Sequence, residues 1–123
     1  MNAYAQAQRA YAPTAAPTRS DRSVEYDVIA RITARLRSAM ERDDYPALVA
    51  ALHENRTLWR TFAIDVADAG NGLPVTLRAR LFYLAEFTEA QTRKVLRDKA
   101  SAAPLLEVNI AILRGLKAGE AAP

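Results

Sequence analysis

Apolar residues recur along this chain at three- and four-residue steps in four separate runs, divided by prolines, glycines and a pair of aspartates. That period puts side chains on one face of an α-helix, whereas a half-buried strand would alternate at every second residue. The first run predicts a helix over about 20–42, with Val28, Ile29, Ile32, Leu36 and Met40 on its apolar face. Ser20, Asp21 and Ser23 are competent N-caps, and Glu25 and Asp27 suit the positive end of a helix. Asp43 and Asp44 then break the run, and Pro46 fits the first turn of the next. The second helix, over about 46–69, carries Leu48, Leu52, Asn55, Trp59, Phe62 and Val66 at steps of 4, 3, 4, 3 and 4. That is heptad spacing, suited to packing against other helices. Gly70 is the expected left-handed residue at its end, and Asn71-Gly72 the turn. The third helix, over about 74–99, opens on Pro74 and presents Leu77, Leu81, Leu84, Phe87 and Val95. The fourth, over about 104–116, turns Leu105, Val108, Ile112 and Leu116 inward, with Gly115 just before its end.

Four amphipathic helices on short connections define an all-α chain, a small bundle. At 123 residues there is room for one domain. Its expected organisation is a flexible N-terminal segment over 1–19, a helical domain over 20–117 and a frayed tail over 118–123. Pro13 and Pro17 break any helix in the first segment, whose Ala, Pro, Thr and Gln content cannot bury much surface. Tyr4 and Tyr11 stand out there, either as incidental aromatics or as anchors of a short docking segment.

Composition narrows the chemistry. There is no cysteine, which excludes disulfides and thiolate metal sites, and His53 is the single histidine. No metal site or cofactor is expected. No run approaches the ~20 apolar residues of a membrane span, and residues 1–16 have no continuous apolar stretch of the secretory kind. A cytoplasmic location is the expectation. The net charge of +3, from 17 basic and 14 acidic side chains, is spread along the chain. Nucleic-acid binders concentrate basic residues on one face, so such a partner is not expected.

Catalytic groups are sparse. The glycines at 70, 72, 115 and 119 form no phosphate-binding loop. Asp65, Asp68 and the Asp43-Asp44 pair are accounted for by capping and solvation, since paired carboxylates need a shared pocket to do acid–base work. No enzymatic activity is expected. Two asparagines carry more information, because Asn is a poor residue inside a helix. Asn55 lies between Leu52 and Trp59 on the second seam, and Asn109 between Leu105 and Ile112 on the fourth helix. Each either fixes helix register or offers a polar contact to a partner. Trp59, the single tryptophan, is a core residue or an interface anchor, with Arg56, Arg60 and Arg78 as charged neighbours.

The run Ala51-Leu52-His53-Glu54-Asn55-Arg56-Thr57-Leu58-Trp59 resembles the "AL..NR.LW" signature of the flagellar biosynthesis regulator FlaF family of alphaproteobacteria. Leu73-Pro74, Leu77-Arg78, Leu84-Ala85-Glu86-Phe87 and Val95-Leu96 are similar to that family's central helix. The stretch from Leu106 to Leu116 resembles its closing "LI.IN..I..GL" motif, with Val108 where isoleucine is usual. Ala3-Tyr4-Ala5 and Gln8 fit its opening, while Tyr11 to Thr18 fits less well. The resemblance implies a non-enzymatic flagellum-assembly factor that behaves like a flagellin-specific export chaperone. It also implies work alongside FlbT, the repressor of flagellin translation. Flagellin, with its amphipathic terminal helices, is the expected partner. Trp59, Phe87, Ile112 and Leu116 are the expected anchors, Arg56 and Arg78 the rim, and Asn55 and Asn109 the polar contacts. The alternatives are an adaptor that binds FlbT and, from another class, an RNA-binding regulator of the flagellin message.

Overall fold

The computed structural model describes the backbone of residues 21–121 and the side chains of residues 25–116. The segment 1–19, the cap expected at Ser20 and the side chains of the tail lie outside the described residues. Four helices fill the rest: α1 (Asp21–Glu41), α2 (Tyr45–Ala67), α3 (Val75–Asp98) and α4 (Ala103–Ala121). No strand occurs among the described residues. The connections are short, so consecutive helices run antiparallel. α1 packs on α2 and α4, α3 packs on the same two, and the diagonal backbones stay apart, which closes a four-helix bundle. The α2–α3 contact is the most extensive and the α3–α4 contact the slightest.

Helix ends follow the expected chemistry at the first turn and depart from it at the second. Asp44 caps α2, its carboxylate accepting from the Ala47 N–H at 3.0 Å, and Pro46 sits in the first turn where no donor is missed. Asp43 just before it is left-handed at φ 50°, a conformation Asp tolerates better than most residues. Gly70, by contrast, does not end α2 in the left-handed region. Asp68 leaves the helix in an extended conformation, φ −71° and ψ 126°, and no described glycine has positive φ. Side-chain bonds shape that loop instead: Asp68 Oδ1 accepts from Gly70 N–H at 3.0 Å. The left-handed C-cap falls on Lys99 at the end of α3, at φ 56°. α4 runs to Ala121, beyond the end expected at Leu116, and keeps Gly115 inside it.

Two apolar clusters make the core. One, at the end closed by the α1–α2 and α3–α4 turns, holds Leu36, Ala51, Leu52, Val95, Ala102 and Leu105, with Met40 and Leu48 against it. The other holds Val28, Ile29, Ile32, Leu58, Trp59, Phe62 and Ala85, with Ile112 and Leu116 packed on it. The Trp59 and Phe62 rings meet edge to face at 5.4 Å. α3 departs from the expected face. It buries Ala85, Thr88, Thr92 and Val95, while Leu77 is exposed and Leu81, Leu84 and Phe87 are half-buried. The heptad steps 85, 88, 92 and 95 point at α2, and the two threonines on that line hid it from a search for apolar residues.

The Asp44 cap gives a direct test of this architecture. Asp44→Ala removes the bond to Ala47 N–H and should cost about 1 kcal/mol, read as a lower urea midpoint with an unchanged slope.

Candidate functional site

Between the two apolar clusters lies a layer of buried polar side chains. Asn109 on α4 is its centre. Its Oδ1 accepts from Trp59 Nε1 at 2.9 Å, and its Nδ2 donates to Asn55 Oδ1 at 2.8 Å and to Thr33 Oγ1 at 3.2 Å. Thr33 Oγ1 in turn donates to the Ile29 carbonyl at 2.6 Å. Asn55 and Asn109 are both fully buried and Trp59 is 2% exposed. α3 contributes two further buried polar side chains, Thr88 and Thr92; Thr92 Oγ1 donates to the Thr88 carbonyl at 2.6 Å. Three of the expected contact residues are therefore bonded to one another inside the bundle, where the amides set register.

The expected arginines are also engaged. Arg56 Nε donates to Glu89 Oε2 at 2.7 Å and Arg60 Nε to Glu89 Oε1 at 2.9 Å, so one carboxylate on α3 holds two guanidiniums on α2. The Arg56 hydrogen bond, opposed by burial and helped by the Arg60 bond and both positive charges, holds the Glu89 carboxyl below the ordinary carboxylate value. Arg78 Nη1 donates to the Asp68 carbonyl at 3.0 Å and so braces the α2–α3 loop. Asn71, buried in that loop, donates through Nδ2 to the Asp65 carbonyl and carboxylate at 3.2 and 3.1 Å, and accepts from Leu73 N–H at 3.0 Å.

The open end of the bundle carries an apolar groove of about 330 Å³. Leu73, Leu77 and Leu81 form one wall, and Ala111, Ile112, Gly115 and Leu116 of α4 the other. Ile29, Phe62 and Val66 line it from α1 and α2, and Glu25 and Asp65 add carboxylates. The groove follows from the packing: α3 and α4 touch least, and the braced loop holds the first turns of α3 away from α4. Ile112 and Leu116 alone among the expected anchors line it. Phe87 lies in neither core cluster and does not line the groove. A second apolar surface, Val75, Phe82 and Tyr83, runs along the outside of α3 at 71%, 40% and 68% exposure.

Sequence reasoning missed Thr33, Thr88 and Thr92, although each sits at a heptad step from a core residue. It also missed the two-arginine clasp on Glu89, which spans helices and leaves no local signal. The groove wall of Leu73, Leu77 and Leu81 was legible as apolar but not as exposed. Among the described residues no three His, Cys, Asp or Glu side chains converge as metal ligands do, and no helix is long and apolar enough to cross a membrane.

Fold and site together define a helical-bundle protein whose distinctive surface is a preformed apolar groove. The model of one family, described as flagellar protein FlaF, matches residues 7–116. This chain belongs to the FlaF family and is a flagellar protein. No curated protein and no solved structure gives a significant match.

The site yields two expectations. Asn109→Leu leaves Trp59 Nε1 and Asn55 Oδ1 buried without partners and should cost about 2–4 kcal/mol in urea unfolding. Glu89 titrates lower when folded than when unfolded, so its contribution is complete above the unfolded value near ~4.3 and is lost as pH falls through the folded one. Melting temperature measured from pH 6 to pH 2 (assay range ~2–6) should therefore fall less steeply in Glu89→Gln than in the natural protein.

Proposed function

We propose that this flagellar protein is an assembly factor that binds flagellin, holding an amphipathic terminal helix of that subunit against the groove between α3 and α4. It works as a cytoplasmic secretion chaperone that couples flagellin synthesis to export, and it catalyses no reaction. The groove carries the reading. A visiting helix lays its apolar face along such a surface and sends residues at i, i+3, i+4 and i+7 into it. A space of about 330 Å³ takes a few large side chains from a helix lying across its mouth. Each anchor fully buried contributes roughly 1.5–3 kcal/mol, offset by the cost of association, which favours reversible binding. A chaperone must release its cargo, so moderate affinity suits the task.

The rigid interior supports this division of labour. Trp59, Asn55 and Asn109 are committed to each other, so cargo contacts fall to Ile112, Leu116, Leu77 and Leu81. The alternative, an adaptor that binds the regulator FlbT, draws on Val75, Phe82 and Tyr83, which are exposed outside the groove. Separate pull-downs with flagellin and with FlbT distinguish the two.

Calorimetric titration with purified flagellin tests the reading. Leu77→Asp and Ile112→Asp should each weaken binding at least about tenfold, roughly the worth of one anchor. Tyr45→Asp, exposed at the opposite end of α2, should not. Absence of binding by the natural protein at high micromolar flagellin, or an equal loss with Tyr45→Asp, would contradict it.

A further inference from the structure

The face of α3 turned away from the core centres on Tyr83, which is 68% exposed. In a helix, the residues three, four and seven places away share a face with it. Three places before Tyr83 is Arg80 and three places after is Glu86, both exposed. Neither side chain has a hydrogen bond or ion pair among the described residues; the α2 arginines nearby close on Glu89 instead. Four places before Tyr83 is Ala79, exposed. Four places after is Phe87, the half-buried aromatic that neither core cluster nor the groove takes up. Thr76 and Ala90, both small, stand seven places away on either side.

This arrangement is complementary to itself. Two copies of α3 laid antiparallel about a two-fold axis at Tyr83 bring residues equally far before and after it to the same level. Each Arg80 then stands level with the Glu86 of the other copy, and both side chains are long enough to meet across the seam as a charge-assisted pair. Each Ala79 stands level with the Phe87 of the other copy, so a ring faces a small residue as a knob faces a hole. Thr76 and Ala90 meet at the ends, where their size permits close approach. The contact runs over four turns, about 21 Å. Charge also fixes the direction. A parallel pair in register would set Arg80 against Arg80 and Glu86 against Glu86, which repel.

We propose that the occupant of this face is a second copy of the chain, forming an antiparallel dimer through α3 with its two-fold axis at Tyr83. The pairing is independent of what the groove binds. Leu77 and Leu81, on the groove wall, lie a third of a turn or more round α3 from Tyr83, so both grooves stay open and the dimer presents one on each copy. Four turns of paired helix bury less than the ~800 Å² per partner of a standard interface, so the dimer is reversible and forms as concentration rises. Tyr83 then belongs to the second copy, while Val75 and Phe82 lie about a quarter-turn to one side of the seam.

Sedimentation equilibrium of the full chain at low salt tests this. The natural protein should pass from monomer to dimer with a Kd on the order of 100 µM. Arg80→Glu alone, or Glu86→Arg alone, sets like charges face to face twice and should weaken the dimer at least about tenfold. The two substitutions in one chain exchange the signs and should restore it to within about threefold, and an equimolar mixture of the two single variants should pair with each other. A natural protein that stays monomeric up to about 1 mM would overturn the proposal, leaving the face to a different partner. Single variants that dimerise as well as the natural protein, or a double variant as weak as the singles, would overturn it equally. Register has its own readout, because the chain has no native cysteine. In an equimolar mixture of Thr76→Cys and Ala90→Cys chains under mild oxidation, the mixed disulfide should outnumber the two homodisulfides together by about tenfold, read by mass. Equal amounts, the statistical result, would overturn the axis at Tyr83.

Discussion

One amide, that of Asn109, ties three helices together. It accepts from Trp59 and donates to Asn55 and Thr33, so α1, α2 and α4 share a single hydrogen-bonded layer. An apolar core alone tolerates many arrangements of similar volume. A buried amide does not, because each unmet donor or acceptor costs about 1–3 kcal/mol. Sliding any of these helices by one turn would set Asn109 against leucine or isoleucine. The layer therefore selects one register, while the clusters on either side supply most of the burial. The same logic lets a single polar seam residue specify the pairing of coiled coils.

Fixing that register decides what the two ends can do. Below the layer, short turns draw the helices together around Leu36, Leu52 and Leu105, all fully buried. Above it, α3 has spent its inward positions on Ala85, Thr88 and Thr92, and its first turns stand beside α4 without filling the space between. The α2–α3 loop, braced by Asn71 and Arg78, holds those turns in place. The groove is thus a consequence of how the core packs.

The helices were legible in the sequence because heptad spacing, prolines and Asp44 all agree locally. The α2 seam was read with its asparagine included, since Leu52, Trp59 and Phe62 frame it. The inward face of α3 was not read, because Thr88 and Thr92 look like surface residues when only polarity is weighed. Both lie on the heptad line of Ala85 and Val95, which the core clusters bury. Trp59 illustrates the limit of a residue's type as a guide: an aromatic beside two arginines suits an interface, yet Asn109, fifty positions away, claims its indole N–H. Ile112 and Leu116 read as inward residues and do pack on the core, but the missing α3 contact leaves one side of each facing the groove. Helical spacing marks which face is apolar; only the packing of a neighbour decides how much of it is covered.

Under the proposed function, the amide layer holds the interior and cargo binds at the groove. Titrating isotope-labelled protein with a flagellin terminal-helix peptide and following amide and indole resonances tests this most directly. The account predicts shifts concentrated at Leu77, Leu81, Ile112 and Leu116, with the Trp59 indole N–H signal unmoved. Displacement or loss of the Trp59 indole signal, with the groove residues unchanged, would contradict it.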